Sequence, residues 1–339
     1  MNGETAPPHW STRPVDRHTV DLLYGRRLLS PVARAAALEL IDPPRAWGLW
    51  TARILTVFGV SLILAGLVYF FAFNWERIPP HAKLAGIALL ILVAVAPTVV
   101  LGLDHAVGRI ATVVATVLVG VFLAVFGQIY QTGADAWGLF ALWAALTLPW
   151  ALVSNCSATW AVWLVVANFG IRLWWAQVRP DDETWFVGSS LSLIAFDGAF
   201  LVAREVLAKL GHAWAAQRWT RWLLLVPILG TATLCLFAWI VHRYGTTPFD
   251  RLGAAVSAAA ILAAVVVYRW VLRDVAALTL AVLAACVVIV MLGFDLMYEL
   301  SPRSDIGIFF LGGFFTLGLF AAAVAWLRSA ARDPEAHHD

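Results

Sequence analysis

Two acids and a phenol stand close together near the end of one apolar run of this sequence: Asp295, Tyr298 and Glu299. If a helix continues to Leu300, Asp295 and Glu299 are i, i+4 neighbours on one face with Tyr298 beside them. Two carboxylates so placed repel, and a proton or a cation relieves the repulsion. A second polar group, Gln128, Tyr130, Gln131 and Asp135, closes another apolar run, and Asn74 and Glu76 follow a third with Trp75 between them. Together they describe a polar vestibule for a small solute or an ion. The plainer alternative stands beside it: caps and loop carboxylates, which a membrane interface tolerates far better than the bilayer centre does.

Asp197 differs in kind, because it lies inside an apolar run rather than at its end. Burying a carboxylate there costs about 2.5 to 3.5 kcal/mol, so it must face protein or water. Ser189, Ser190 and Ser192 precede it and Arg204 follows two turns later. This pattern fits a proton or ion path, and equally a structural hydrogen bond to a neighbouring helix. Asn168, in the preceding run, is a weaker signal of the same kind.

Other chemistries have no footing. The sequence contains no Gly-x-x-x-x-Gly-Lys loop, no Gly-x-Gly-x-x-Gly, no His-Glu-x-x-His and no Gly-x-Ser-x-Gly. Its eight histidines are scattered, and only His337 and His338 adjoin. Cys156, Cys235 and Cys286 sit in or beside apolar runs without Cys-x-x-Cys spacing, as small buried hydrophobes do. No catalytic set, metal site or cofactor is therefore expected. An enzyme acting on a lipid-linked substrate ranks last among the readings, since the outer carboxylates alone would have to supply acid and base.

The elements that must position these residues follow from composition. Of 339 residues, 62% are hydrophobic and 13% charged, against about 45 to 50% and about 25% in soluble domains. That excludes a soluble globule, a disordered chain and a disulfide scaffold, and leaves an all-α polytopic integral membrane protein whose first partner is the lipid bilayer. Net charge is +2. Lys83 and Lys209 are the only lysines, so no lysine-rich tract points to nucleic acid.

Apolar runs of helix-spanning length number ten: Ile54 to Phe73, Leu84 to Leu103, Ile110 to Phe126, Ala136 to Val153, Ser157 to Trp174, Trp185 to Ala203, Trp222 to Val241, Gly253 to Tyr268, Val275 to Gly293 and Ile306 to Leu327. Ten spans put both termini on one side. With the amino terminus inside, the inner segments collect 16 of the 23 Lys and Arg residues, which favours cytoplasmic termini. Residues 1–50 carry no apolar signal-peptide core, so the first span is expected to act as the insertion signal.

Before that span, Asp16 to Tyr24 reads as a short helix stopped at Gly25. Ser30-Pro31 then caps a second helix that ends near Asp42-Pro43-Pro44. Val32, Ala36 and Leu40 form a stripe on it. This cytoplasmic hairpin is expected to pack on inner loops, or to meet a cytoplasmic protein partner or the membrane surface. Residues 204 to 221, with Arg204, Lys209, Arg218 and Arg221 among Leu207, Leu210, Trp214 and Trp219, read as a basic amphipathic inner stretch.

Sliding the chain against itself exposes a repeat. At an offset of 168, Pro80-His81-Ala82-Lys83-Leu84 falls on Pro248-Phe249-Asp250-Arg251-Leu252, Tyr130 on Tyr298 and Gln131 on Glu299. A short insertion later, Asp135-Ala136-Trp137-Gly138-Leu139-Phe140 faces Asp305-Ile306-Gly307-Ile308-Phe309. Spans one to four thus read as a copy of spans seven to ten, in the parallel arrangement some transporters use. Coincidence is the alternative, because low-complexity apolar sequence matches itself easily. The expected organisation is 1–50 hairpin, 51–155 first four-helix repeat, 156–221 linking spans with a basic inner loop, 222–327 second repeat, and 328–339 disordered tail.

Asn74-Trp75-Glu76-Arg77-Ile78-Pro79-Pro80-His81-Ala82-Lys83-Leu84, then Gln128-Ile129-Tyr130-Gln131-Thr132-Gly133-Ala134-Asp135 and Trp137, resemble a family of bacterial predicted membrane proteins called domain of unknown function twenty-one fifty-seven. The resemblance covers roughly residues 12 to 153, including the hairpin. It implies a multi-pass protein of the bacterial inner (plasma) membrane and brings no activity with it. Two functions remain in view: a carrier or channel for a small polar solute or ion, and a non-catalytic membrane scaffold or sensor that uses the hairpin, with homo-oligomers open in either case.

Overall fold

A computed structural model of the chain describes residues 17–41, 47–73, 78–131, 135–179, 184–242, 247–300 and 305–332. These residues form helices and turns, with no strand among them. Asn74 and Glu76 lie outside the described residues. Contacts divide the chain into two units, Met1–Phe70 and Phe71–Asp339.

The first unit holds α1 (Arg17–Gly25), α2 (Pro31–Ile41) and most of α3 (Trp47–Phe73). Ser30 caps α2 as its type and position require: its Oγ accepts from the Ala33 amide at 3.1 Å, and Pro31 opens the helix. Arg34 ties the hairpin together, donating from Nε and Nη2 to Asp21 Oδ1 at 2.9 and 2.8 Å with its guanidinium 4.9 Å from the Tyr24 ring centre. Of the expected stripe, Val32 is 79% exposed and Ala36 is exposed as well.

The second unit comprises α4 (Pro80–Leu101), α5 (Ala106–Tyr130), α6 (Ala136–Ser154), α7 (Ser157–Val178), α8 (Trp185–Lys209), the short α9 (Ala213–Ala216), α10 (Arg218–Val241), α11 (Pro248–Val266), α12 (Val275–Leu300) and α13 (Asp305–Arg332). Among the described residues nine helices are long and apolar enough to cross a membrane, and α3 adds an apolar stretch over Ile54–Gly66. The chain is an all-α, multi-pass membrane protein.

Local chemistry sets the helix ends. Proline opens both α4 and α11, where its missing N–H deprives the helix of no bond. Thr247 and Asp250 form a capping box on α11: Thr247 Oγ1 accepts from the Asp250 amide, and Asp250 Oδ2 accepts from the Thr247 amide, both at 3.1 Å. Gly211, at φ +89°, provides the left-handed turn that ends the α8 segment before α9. Beyond α11, a π-helical turn over Val267–Val271 leads to Asp274, whose Oδ1 caps α12 by accepting from the Ala276 and Ala277 amides at 3.0 and 3.1 Å.

Most helices outrun their expected spans; α8 continues past Ala203 to Lys209, α10 starts at Arg218 rather than Trp222, and α13 extends five residues into the stretch expected as tail. Residues 333–339 lie outside the description. The reason at α8 and α10 is electrostatic. Arg204 and Arg221 pair with acids within the bundle, and the stretch expected as basic and amphipathic is broken at Gly211, with both of its ends tied to Glu205.

α8 packs against α7, α10 and α11, and α12 packs against α10, α11 and α13. Small residues permit the close approach: Gly253, Ala254, Ser257 and Ala264 are buried on α11, and Ala277, Ala281 and Ala284 on α12. Leu225, Leu229, Ile261 and Leu278 fill the space between. α5 lies against α4 and α6, as α12 does against α11 and α13, and the α4 and α11 starts are separated by the 168 residues of the expected offset.

Candidate functional site

The buried face of α8 gathers polar and charged side chains. Ser189, Ser190, Asp197 and Arg204 recur at helical spacing on its inward face and are all buried. From Ser189 to Arg204 this file runs about 22 Å at about 1.5 Å per residue, most of a hydrocarbon core about 30 Å thick.

At its middle sits Asp197, 1% exposed. Asn168 of α7 donates from Nδ2 to Asp197 Oδ1 at 2.9 Å, and the same nitrogen donates to the Leu164 carbonyl at 2.9 Å. The two intramembrane polar residues that the sequence offers separately are therefore partners. Asp197 Oδ2 is buried with no hydrogen-bond partner among the described residues. A buried acceptor left this way costs about 1 to 3 kcal/mol, a penalty that a proton, a cation or a passing donor removes. An aromatic layer flanks the pair: Phe196 packs on Phe200 and Trp163, with ring centres 4.8 and 6.2 Å apart.

At one end of the file lies a cavity of about 640 Å³, between the start of α8, the end of α10 and the start of α11. Its wall includes Trp185, Phe186, Cys235, Trp239, His242 and Asp250. Just beneath, Arg172 of α7 donates from Nη1 to Ser189 Oγ at 2.6 Å, and its guanidinium lies 5.3 Å from the Phe186 ring centre.

At the opposite end, two arginines and two acids form a closed network. Arg221 of α10 meets Glu205 of α8 at two points, Nε to Oε1 at 2.7 Å and Nη2 to Oε2 at 2.9 Å, and its Nη1 reaches Asp274 Oδ2. Arg204 Nη1 donates to the same Glu205 Oε1 at 2.7 Å, its Nη2 to the Gln217 carbonyl at 3.0 Å and its Nε to Thr220 Oγ1 at 3.2 Å. The Arg221 guanidinium stands 5.7 Å from the ring centre of Tyr268, which belongs to the π turn. The network holds α8, α10 and the α11–α12 turn together where the cavity does not reach.

The remaining sequence-derived residues lie elsewhere. α12 is helical to Leu300, so Asp295 and Glu299 are i, i+4 neighbours; Asp295 is half-buried, Glu299 exposed and Tyr298 44% exposed. Gln128 and Tyr130 are exposed at the end of α5, with Tyr130 packed on Phe126, and Gln131 closes that helix at φ +48°. Asp135 is exposed ahead of α6. None of them lines the cavity. Residues that sequence reasoning passed over are Arg172, Glu205 and Asp274. A signal existed for two of them: Arg172 falls four residues after Asn168, and Glu205 adjoins Arg204. Among the described residues no group of three or more His, Cys, Asp or Glu side chains converges to hold a metal ion.

Residues 21–160 match the model of a family described as a predicted membrane protein, DUF2157. That is the family the two loop motifs resemble, and the match ends within α7, ahead of Asn168, Asp197 and the ionic network. No curated protein and no solved structure matches the chain.

Proposed function

We propose that this membrane protein is a carrier or channel for a small polar solute or ion, with Asp197 as the group that takes up and releases a proton or cation. The observation that carries this reading is Asp197 Oδ2, a buried acceptor without a partner halfway along a file of polar side chains. Intramembrane acids facing protein in this way mark proton and ion paths. The reading includes a bacterial inner-membrane location with cytoplasmic termini, and two parallel four-helix copies, spans one to four and seven to ten in chain order. The shared 168-residue offset of the α4 and α11 starts supports the copies.

The test is flux into liposomes holding the purified chain, driven by a potassium diffusion potential and read with an internal pH dye, with a parallel sodium arm. Proton or sodium flux well above that of empty liposomes, lost in Asp197→Asn, is expected. Wild-type vesicles as tight as empty ones in both arms, or an Asp197→Asn chain that conducts like wild type, overturns the reading.

The scaffold or sensor reading draws on a different observation: the hairpin leaves Leu22, Leu28 and Val32 exposed around the Arg34–Asp21 clamp. Removal of residues 1–46 then abolishes recovery of a partner or of a second copy of the chain, and unchanged recovery ends that reading.

A further inference from the structure

The cavity of about 640 Å³ stands on the point where three helices meet. A Cβ at Gly253 of α11 would run into Val187 of α8 and lie 3.4 Å from Cys235 Sγ of α10, so this close approach floors the space. From the floor, α10 presents Cys235, Ala238, Trp239 and His242 at i, i+3, i+4 and i+7, one continuous face. Trp239 stands four residues above Cys235, Asp250 three above Gly253 and Trp185 two above Val187, rises of about 3 to 6 Å at about 1.5 Å per residue. Two indoles and a carboxylate therefore ring the cavity in one layer just above its floor.

Among the described residues that line this space Asp250 is the one acid, and none is an arginine or a lysine. Its Oδ2 serves the α11 cap, accepting from the Thr247 amide and hydroxyl at 3.1 and 2.8 Å, and its Oδ1 accepts no hydrogen bond among the described residues. Arg172 is held at Ser189, two residues deeper along α8 than Val187, and lies outside the lining with the Phe186 ring beneath its guanidinium. His242 lies past the end of α10, farthest from the floor on that face.

A carboxylate facing two indole rings suits a cation. A primary ammonium brings three N–H donors and needs three acceptors, whereas the wall offers Asp250 Oδ1 and His242. A quaternary ammonium has no donor to satisfy, and its methyl groups pack on aromatic faces while its charge stays near the acid.

We propose that this cavity is a binding site for a small quaternary ammonium ion, its methyl groups between Trp185 and Trp239 and its charge balanced by Asp250. The site goes beyond the path through Asp197 and is read as occupancy, without any flux, so either can fail while the other stands.

The experiment uses the full chain in nanodiscs with Cys156→Ser, Cys235→Ser and Cys286→Ala, and Ala238→Cys as the reporter in the cavity wall. The neutral reagent N-ethylmaleimide labels the reporter, so the reagent's own charge plays no part. Choline at about ten times its half-protecting concentration is expected to slow labelling about tenfold, and tetramethylammonium to do the same. Sodium at equal concentration, and the neutral choline analogue with carbon in place of nitrogen, are expected to leave the rate unchanged. Trp239→Leu and Asp250→Asn are each expected to remove the protection, and Trp239→Phe to keep part of it. The contrasts among ligands are read with Trp239 and Asp250 intact, so a variant that fails to fold does not leave the matter open. Equal slowing by choline and its neutral analogue, equal slowing by sodium, slowing by none of them, full protection in both Trp239→Leu and Asp250→Asn, or a reporter that the reagent does not reach overturns the proposal.

Discussion

Glu205 accepts from two arginines through one oxygen: Arg204 Nη1 and Arg221 Nε both lie 2.7 Å from its Oε1. Its second oxygen takes Arg221 Nη2, so one carboxylate satisfies three charged donors from two helices. The two guanidiniums tolerate this proximity only because the acid stands between them.

Glu205→Gln should therefore destabilise more than its size suggests, by about 2 to 4 kcal/mol, because it leaves two like charges facing each other in a largely buried setting. Asp274→Asn should lose less, since Arg221 keeps Glu205 and an asparagine still caps α12. Unfolding in mixed detergent, followed by circular dichroism, orders the two variants. The reverse order would show that Asp274 rather than Glu205 anchors the network.

The Asn168–Asp197 pair makes a non-additive prediction. Asn168→Leu strips Asp197 of the partner of its Oδ1 and should lower stability by about 1 to 3 kcal/mol. Asn168→Leu with Asp197→Leu removes the stranded acid and should be more stable than Asn168→Leu alone. A double-mutant cycle on the same unfolding readout decides it, and strict additivity would mean that the pair contributes nothing as a pair.

Packing between α7 and α8 is set at Gly188, where the Trp175 ring occupies the space a Cβ would need. Trp175 is fixed by its Nε1, which donates to Ser192 Oγ at 3.0 Å. Gly188→Val should overpack this contact by about 1 to 3 kcal/mol, and Trp175→Leu in the same chain should restore part of the loss. A lower melting temperature for Gly188→Val with no recovery in the double variant would locate the strain elsewhere.

Topology is open to a direct reading. Cytoplasmic termini predict that a fluorescent protein fused after Asp339 matures and that alkaline phosphatase fused there stays inactive, while phosphatase inserted after Pro248 is active. The opposite pattern would invert the membrane orientation inferred from the arginine distribution.

Much of the architecture was legible because hydrocarbon is an unforgiving solvent: a run of about 20 apolar residues has few alternatives to a spanning helix. Ser30-Pro31 announced the α2 start, and Pro80 and Pro248 announced α4 and α11, because caps and first-turn prolines are local signals. Asp197 stood out for the same solvent reason. Its partner did not, because Asn168 and Asp197 are 29 residues apart and which helix faces meet is a tertiary fact. The ionic network was hidden by the reading of 204–221 as a basic amphipathic inner stretch: Arg204 and Arg221 look like interfacial cations until Glu205 and Asp274 are seen to face them. Arg172 was lost in a count of charges near span ends, where one more arginine carries no distinguishing mark.

The polar side chains of α8 share a single meridian, and that alignment makes the helix sensitive to phase as well as to composition. One residue added between Asp197 and Arg204 rotates everything beyond it by about 100°, so Arg204 and Glu205 would sweep away from Arg221 while every side chain kept its identity. Along this rod, length is itself a specified quantity: substitutions strike one rung, whereas an indel turns the whole lower ladder toward the acyl chains.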